Sequence, residues 1–162
     1  MIYGWIIGGL AALDLGVKSV VEGQEDDTFP RDLPSAKGFI KLHKNHNSGF
    51  PFGFMKERPE LVEGIPLMVI SAKAGALAAM MQDKVKTAEK LSLSLVMGGA
   101  LSNLYDRVVR GYVVDYFTIE WKSLKKVVFN LGDMFVFLGS AVFVLAQAVG
   151  SLEDAGVKKK KK

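Results

Sequence analysis

The chain has 162 residues, of which 49% are hydrophobic and 23% are charged, a composition that excludes a disordered chain, a collagen and a multidomain enzyme. It contains no cysteine, which excludes disulfide frameworks, thiol nucleophiles and iron–sulfur clusters. Its two histidines leave little for an imidazole-rich metal centre. The net charge of +4 comes largely from the lysine run at 158–162, so nucleic acid is not expected as a partner.

Four apolar stretches follow one another along the chain, at 2–21, 65–81, 91–105 and 129–149. Each is close to the ~20 residues that an α-helix needs to cross the hydrocarbon core of a bilayer. The last stretch is apolar on every helical face, whereas a helix of a soluble bundle would alternate apolar and polar residues with a 3.6 period. We therefore predict a mainly α, polytopic membrane protein with four transmembrane helices.

The first stretch lacks the basic leading region and the small-residue cleavage site of a signal sequence, so we expect it to stay attached. Glycine, alanine and serine are frequent in the first three stretches, in GGLAALDLG, SAKAGALAA and MGGALSN. Small residues let helices approach closely in lipid, where association depends on packing. We interpret these small residues as structural.

Polar segments at about 22–64 and 106–128 share one side of a four-span arrangement, within a single domain over 1–150 that is followed by a basic tail over 151–162. Each segment contains a run of β-forming residues, GFIKLHKNHNSGFPFGFM and GYVVDYFTIEW, which predicts a small β element on the membrane surface. The lysines of the short loop at 82–90 and of the tail favour a cytoplasmic location for both. The positive-inside rule decides this weakly, because the opposite side also carries many lysines and arginines.

Charged residues within or at the edge of the apolar stretches cost about 2.5–3.5 kcal/mol each, so each one indicates a function or a paired structural role. Asp14 and Lys18 are spaced i, i+4 with the acid first, which predicts a structural ion pair on the first helix. Lys73 lies in the second stretch without an evident local partner. Four residues form one polar stripe at the outer end of the third helix: Asn103, Asp106, Arg107 and Arg110. The stripe is either a helix end with its own Asp–Arg pairs or a guanidinium placed for a lipid phosphate or a peptide carbonyl.

Two further carboxylates are expected near the outer surface of the membrane. Asn130 and Asp133 lie i, i+3 at the start of the last stretch, and Asp115 lies in VVDYF on the same side. Two carboxylates that meet in a poorly solvated place can share a proton, so that one acts as general base and the other as general acid. Alternatively, Asp133 is a helix N-terminal acid stabilised by the macrodipole, and Asp115 is a turn acid between strands.

Four motifs in the same order resemble the lipoprotein signal peptidases, also called signal peptidase II, which are four-span aspartic proteases of bacterial membranes. The motifs are DLGVK at 14–18, NSGFPFGF at 47–54, GGALSNLYDRVVRGYVVDYF at 98–117 and FNLGD at 129–133. The resemblance runs through nearly the whole chain.

The resemblance implies that Asp115 and Asp133 form the catalytic pair. It also implies a role in substrate binding or in support of the site for Asn47, Asn103, Asp106, Arg107, Asn130 and Asp14. The fold that it implies has four transmembrane helices, a small extracytoplasmic β-cradle and a lid-like segment.

The implied reaction is hydrolysis of the peptide bond before the diacylglyceryl-modified cysteine of a prolipoprotein. One aspartate would activate a water and the other would donate a proton. The expected partners are this prolipoprotein and membrane lipid, and the chain is expected to act as a monomer without a metal or organic cofactor. The expected location is the bacterial cytoplasmic membrane, with the active site on the extracytoplasmic face and both termini in the cytoplasm.

Three places depart from the family pattern. Phe50 and Pro51 replace an Ala-Ala pair, which changes the shape of a segment near the substrate. Ser102 replaces a glycine, and Gly132 replaces an alanine, a change expected to loosen the backbone beside the second acid. Every carboxylate is retained, so an active enzyme is expected.

Two alternatives remain open. A protease of the presenilin and prepilin peptidase type would use Asp106 with Asp133 and leave Asp115 dispensable, although its Gly-x-Gly-Asp motif has Asn130 at the first glycine here. A non-enzymatic membrane scaffold or transporter subunit would use the acids only in structural ion pairs. Substitution of each aspartate separates these alternatives, because only an enzyme loses an activity while it stays folded.

Overall fold

A computed structural model describes residues 1–49, 57–81 and 86–160 of the chain, without the side chains of 59, 63 and 152–160. The departure at Phe50 and Pro51 lies outside the described residues, and so does most of the motif that contains it. The predicted lid-like segment therefore stays a prediction.

Four long helices form the body of the structure. They are α1 (Ile2–Glu22), α2 (Pro59–Met80), α3 (Thr87–Arg110) and α4 (Leu131–Lys160). The four predicted apolar stretches are thus confirmed as helices, and α4 continues beyond the predicted domain end at 150. Since the helices alternate in direction, the outer ends of α1 and α3 lie on the same side as the outer starts of α2 and α4.

Three helices of the described chain are long and apolar enough to cross a membrane: α1, the stretch Glu60–Met80 of α2 and the stretch Leu131–Ser151 of α4. Helix α3 does not meet this apolar limit, because its buried face contains polar residues, among them Ser92, Ser94, Ser102 and Asp106. It packs against each of the other three helices and so occupies the centre of the bundle. Its polar side chains therefore face protein, which is where polar groups in a membrane protein find partners.

A small antiparallel sheet covers the outer end of the bundle. Its strands are β1 (Arg31–Asp32), β2 (Ile40–Asn47) and β3 (Val113–Ile119), in the order β1-β2-β3. This confirms the predicted β element in both outer segments. Helix α3 leads into β3 through Gly111, whose left-handed backbone at φ 79° ends the helix as glycine readily does.

The sheet is fixed to the helices at two places. Val21 near the end of α1 packs in one buried cluster with Val114 and Tyr116 of β3. Phe117 exchanges backbone hydrogen bonds of 3.0 and 2.7 Å with Phe129, which precedes α4 by two residues. These contacts hold β3 directly above the starts and ends of the helices.

Helices α3 and α4 approach each other through glycine. A Cβ atom at Gly99 would lie 2.1 Å from the carbonyl oxygen of Gly132, and one at Gly139 would lie 2.6 Å from the carbonyl oxygen of Ser92. The interpretation of the small residues as structural is confirmed at this contact. It does not extend to every glycine, because a Cβ at Gly8 or Gly75 would meet nothing within 4 Å.

We expect Gly99→Ala to lower the midpoint of thermal unfolding in detergent, because its methyl group would collide with the backbone of Gly132. Overpacking typically costs ~1–3 kcal/mol, and a backbone carbonyl has little room to yield. Gly16→Ala is the matched control, since a Cβ at Gly16 meets nothing within 4 Å and alanine favours a helix. Equal midpoints for the two variants would contradict the close approach.

Candidate active site

A cavity of about 590 Å³ lies between the sheet, the outer end of α3 and the start of α4. Asp115 and Asp133 both line it, so the structure brings together the two acids that the resemblance pairs. Asn47, Asn103 and Arg107 line it as well. Toward α4 the wall turns apolar, with Val127, Val128, Phe129 and Phe137.

The start of α4 positions both acids. Asn130 is the residue before the helix, and its side-chain oxygen accepts a hydrogen bond from the backbone N–H of Asp133 at 2.9 Å. In return, the Asp133 carboxylate accepts the backbone N–H of Asn130 at 3.2 Å, which makes a reciprocal helix cap. The Asn130 amide also donates to Asp115 at 2.7 Å, so this one residue holds both carboxylates.

Asp115 is almost fully buried on β3, with 4% of its surface exposed. One carboxylate oxygen accepts the Asn130 amide, and the other accepts the Asn47 amide at 3.1 Å. Burial and the nearby carboxylate of Asp133 together raise the pKa of Asp115 to about 6, against the two amide donors, which lower it. Asp115 can therefore exchange a proton close to neutral pH.

Asp133 is held by Asn103 of α3. The Asn103 amide donates to the Asp133 carboxylate at 2.9 Å, and its side-chain oxygen accepts the ammonium of Lys18 at 2.7 Å. The Lys18 ammonium therefore fixes which end of the Asn103 amide faces the acid.

The same arrangement occurs at three asparagines that donate to Asp115 or Asp133. In each, the amide oxygen is occupied by a donor: the backbone N–H of Gly49 for Asn47, the ammonium of Lys18 for Asn103 and the backbone N–H of Asp133 for Asn130. The amide nitrogen is thereby directed to the carboxylate of Asp115 or Asp133 in each case. Aspartate would supply no such donor, because an ionised carboxylate only accepts.

Lys18 is itself fully buried, and its ammonium lies among oxygen atoms of two helices. It is 2.9 Å from the Asp14 carboxylate and 3.0 Å from the Asp106 carboxylate. It is also 3.1 Å from the hydroxyl of Ser102. The predicted Asp14–Lys18 pair is confirmed, and it is part of a larger cluster that joins α1 to α3 beneath the cavity.

The polar stripe of α3 divides into two parts. Asp106 is fully buried and pairs with Arg110 at 2.6 Å and with Lys18, and its carboxylate also accepts the backbone N–H of Val114 at 3.1 Å. Arg107 instead donates to the backbone oxygen of Asn103 at 3.1 Å. The interpretation as an Asp–Arg pair is thus confirmed for Arg110, and the placement of Arg107 for a lipid phosphate or a substrate carbonyl stays a prediction.

Among the described residues that line the cavity, Asp106 does not appear, and Asp14 lies beneath the cavity in the Lys18 cluster. Both act through the residues that they hold. In the described part of the chain, no group of three or more histidine, aspartate or glutamate side chains is placed to hold a metal ion.

The model of a protein family described as signal peptidase (SPase) II matches residues 6–149 of the chain. The chain belongs to the signal peptidase II family. Two proteins called lipoprotein signal peptidase are similar to it. The protein of Clostridium acetobutylicum is 35% identical over 120 residues, which cover 71% of this chain and 76% of that protein. The protein of Brucella ovis is 30% identical over 144 residues, which cover 85% of this chain and 84% of that protein.

Two solved structures, both described as bacterial membrane enzymes determined by the in meso method, have the same fold. One has a TM-score of 0.77 at 20% identity and covers 99% of this chain and 93% of its own. The other has a TM-score of 0.75 at 19% identity and covers 90% and 92%. The predicted family and fold class are therefore confirmed, and the chain is a protease of bacterial membranes.

The two departures from the signal peptidase II pattern that lie in the described chain meet at one atom. Ser102 donates its hydroxyl to the outer carboxylate oxygen of Asp14, Oδ2, at 2.6 Å. A Cβ at Gly132 would lie 2.8 Å from the same oxygen. Gly132 is buried between α3 and α1, so its missing side chain makes room for the Asp14–Ser102 contact. The expected loosening at Gly132 is therefore replaced by a packing role.

Tyr116 is a member of this site that the residue pattern did not identify. Its hydroxyl donates to Asp14 at 3.0 Å and accepts the backbone N–H of Leu131 at 2.9 Å. Burial and the Asp14 carboxylate raise the pKa of Tyr116, so the hydroxyl keeps its proton. The available signal was its alternation with Asp115 on β3, which places it on the opposite face, toward the helices.

A double-mutant cycle tests the coupling of Ser102 and Gly132. We expect Gly132→Ala alone to lower the midpoint of thermal unfolding, because its methyl group would collide with Asp14. In the Ser102→Gly background Asp14 loses the hydroxyl that holds its oxygen, so the same methyl group should cost less by about 1 kcal/mol or more. The midpoints of the four proteins measure this, and additive effects would contradict the shared contact.

Proposed function

We propose that the chain is an aspartic endopeptidase that removes the signal peptide from prolipoproteins by hydrolysing the bond before the diacylglyceryl-modified cysteine. The observation that carries the proposal is that Asp115 and Asp133 face one cavity and are bridged by Asn130. Membership of the signal peptidase II family supports the class of reaction. The name lipoprotein signal peptidase, carried by the relatives, supports the substrate class.

The proposed reaction uses one protonated and one ionised carboxylate. The ionised aspartate takes a proton from a water molecule, whose oxygen attacks the scissile carbonyl carbon. The protonated aspartate gives its proton to the carbonyl oxygen. When the C–N bond breaks, the nitrogen of the modified cysteine takes up the proton that the first aspartate received from water. A hydroxyl of the tetrahedral intermediate returns its proton to the second aspartate, so a carboxylic acid remains on the signal peptide and the pair again holds one proton. The pKa of about 6 at Asp115 supports such an exchange near neutral pH.

The surroundings of the pair suit a substrate that is held in the membrane. The pair lies where the sheet meets the start of α4. This helix contains the most apolar of the described membrane-spanning stretches, Leu131–Ser151. Phe137 lines the cavity from α4 and keeps 58% of its surface exposed, so the cavity opens along the side of the helix that faces lipid. Acyl chains and the signal helix could reach the acids from the bilayer, while the mature part of the substrate leaves past the sheet.

We place this side of the molecule outside the cytoplasm and both termini inside it, in the bacterial cytoplasmic membrane. The up-and-down order of the helices puts Met1 and the end of α4 on the side opposite the sheet. The proposal treats the chain as a monomer.

The alternative pair of Asp106 with Asp133 finds less support. Both oxygens of Asp106 are engaged by Lys18, Arg110 and the backbone of Val114, and its side chain is fully buried. A general base needs room for water beside it, which Asp115 has in the cavity.

We expect Asp115→Asn and Asp133→Asn each to lose cleavage of a diacylglyceryl-modified prolipoprotein by at least about 100-fold, because each removes a proton-transfer group. A gel-shift assay in detergent measures the cleavage. Asp32→Asn, at an exposed aspartate of β1, is the matched control and should keep wild-type activity. Loss in Asp106→Asn, with an active and folded Asp115→Asn, would move the catalytic pair to Asp106 and Asp133.

Stability provides a second readout for Asp115→Asn. The pKa of Asp115 is higher in the folded protein than its usual value of 3.8, so the wild type loses folding stability as the pH rises from about 3.8 through about 6. An asparagine lacks this penalty. The midpoint of the variant relative to wild type should therefore be higher at pH 8 than at pH 5, which distinguishes a strained catalytic acid from a stabilising ion-pair acid.

Asn47→Ala should shift the pH dependence of cleavage. Removal of an amide donor disfavours the ionised carboxylate, so the pKa of Asp115 should rise and the corresponding limb of the pH–rate profile should move to higher pH. Asn45→Ala is the control, because Asn45 lines the same cavity and lies opposite Asp115 in the β2–β3 register. Identical profiles for wild type and Asn47→Ala would show that the amide does not control this titration.

A further inference from the structure

The end of the sheet away from the cavity presents an exposed surface, here called the sheet tip, formed by residues 37–39 and 120–125. Phe39 and Trp121 keep 53% and 56% of their surfaces exposed. They are neighbours, since the backbone N–H of Glu120 donates to the carbonyl oxygen of Phe39 at 2.9 Å. Two exposed aromatic residues on neighbouring segments of the backbone are more than the scattered apolar residues usual on a protein surface.

The rings are surrounded by positive charge. The exposed lysines of the sheet tip are Lys37, Lys122 and Lys125. The ammonium of Lys122 lies 5.1 Å from the centre of the Trp121 ring. The one carboxylate of the sheet tip, Glu120, accepts the hydroxyl of Thr118 at 2.8 Å. The surface is therefore basic and aromatic, which suits an anionic interface.

The sheet tip is held close to the membrane. Phe117 is hydrogen-bonded to Phe129, and α4 enters the apolar span at Leu131. Trp121 is four residues beyond Phe117, so it lies at most about 13 Å from that anchor at ~3.3 Å per residue. The headgroup layer on each side of a bilayer is roughly 5–8 Å thick. A loop of this length that runs along the surface stays within reach of the headgroups.

We propose that the sheet tip docks on the outer headgroup layer of the bilayer that α4 crosses, with Phe39 and Trp121 at the interface and the lysines on anionic phospholipid headgroups. Charge complementarity and continuity with the membrane-spanning helix favour lipid over a protein partner as the occupant. The contact keeps the far end of β2 and β3 at the membrane surface. It thereby fixes the depth of Asn47 and Asp115 relative to the bilayer. It does not depend on the proposed reaction.

Tryptophan fluorescence tests the docking directly. The chain has two tryptophans, so Trp5→Phe leaves Trp121 as the reporter. The variant is reconstituted in nanodiscs of phosphatidylcholine, alone or in equal mixture with phosphatidylglycerol. We expect a blue-shifted emission in the mixture, quenching by lipids brominated near the headgroup and protection from acrylamide in water. The matched control is Trp121→Phe. Its remaining tryptophan, Trp5, lies near the start of α1, at the end of that helix away from the sheet.

Charge variants separate the lysines from the rings. Lys122→Gln with Lys125→Gln, in the Trp5→Phe background, should lose the difference between the two lipid compositions. Water-like emission of Trp121 that acrylamide quenches and brominated lipid does not would overturn the proposal. Protection of Trp121 in native membranes that is lost in nanodiscs of either composition would assign the sheet tip to a protein partner and would also overturn it.

Discussion

The burial of one ammonium group constrains the whole outer half of the molecule. Lys18 is removed from water, and its charge is tolerable only where carboxylates and other acceptors surround it. These acceptors come from α1 and α3, and through them the cluster reaches Asp133 by way of Asn103 and β3 by way of Asp106. A buried ion cluster adds little net stability, but it permits one arrangement of its members. The positions of Asp115 and Asp133 follow from that arrangement.

Local spacing in the sequence predicted the parts of the structure that depend on neighbours along the chain. The i, i+4 spacing of Asp14 and Lys18 gave an ion pair, and the i, i+3 spacing of Asn130 and Asp133 gave a helix cap. Both of the alternatives weighed for Asp133 are compatible, since a helix-capping carboxylate can also face a cavity. The meeting of Asp115 with Asp133 was predicted by family resemblance, because residues on separate elements have no spacing that reveals their contact.

Contacts between elements account for what the sequence left undecided. Helical periodicity put Asp106, Arg107 and Arg110 on one face, but the choice of Arg110 as partner depends on Lys18 arriving from α1. The same holds for Gly132. Its lack of a side chain is explained by a contact between elements, because a Cβ there would collide with the Asp14 oxygen that Ser102 binds. The central position of α3 explains why it is the least apolar of the four helices, since its polar residues face other helices instead of lipid.

On the proposed function, the exposed ring of Phe137 marks the side from which the substrate reaches the cavity. Because this wall continues into the lipid-facing side of α4, a membrane-anchored molecule approaches by lateral diffusion in the plane of the bilayer. Its supply is then set by the number of molecules per unit area of membrane and not by a concentration in solution. Encounters in two dimensions also preserve the orientation of the incoming chain, so the helix bundle need not select it from a tumbling population.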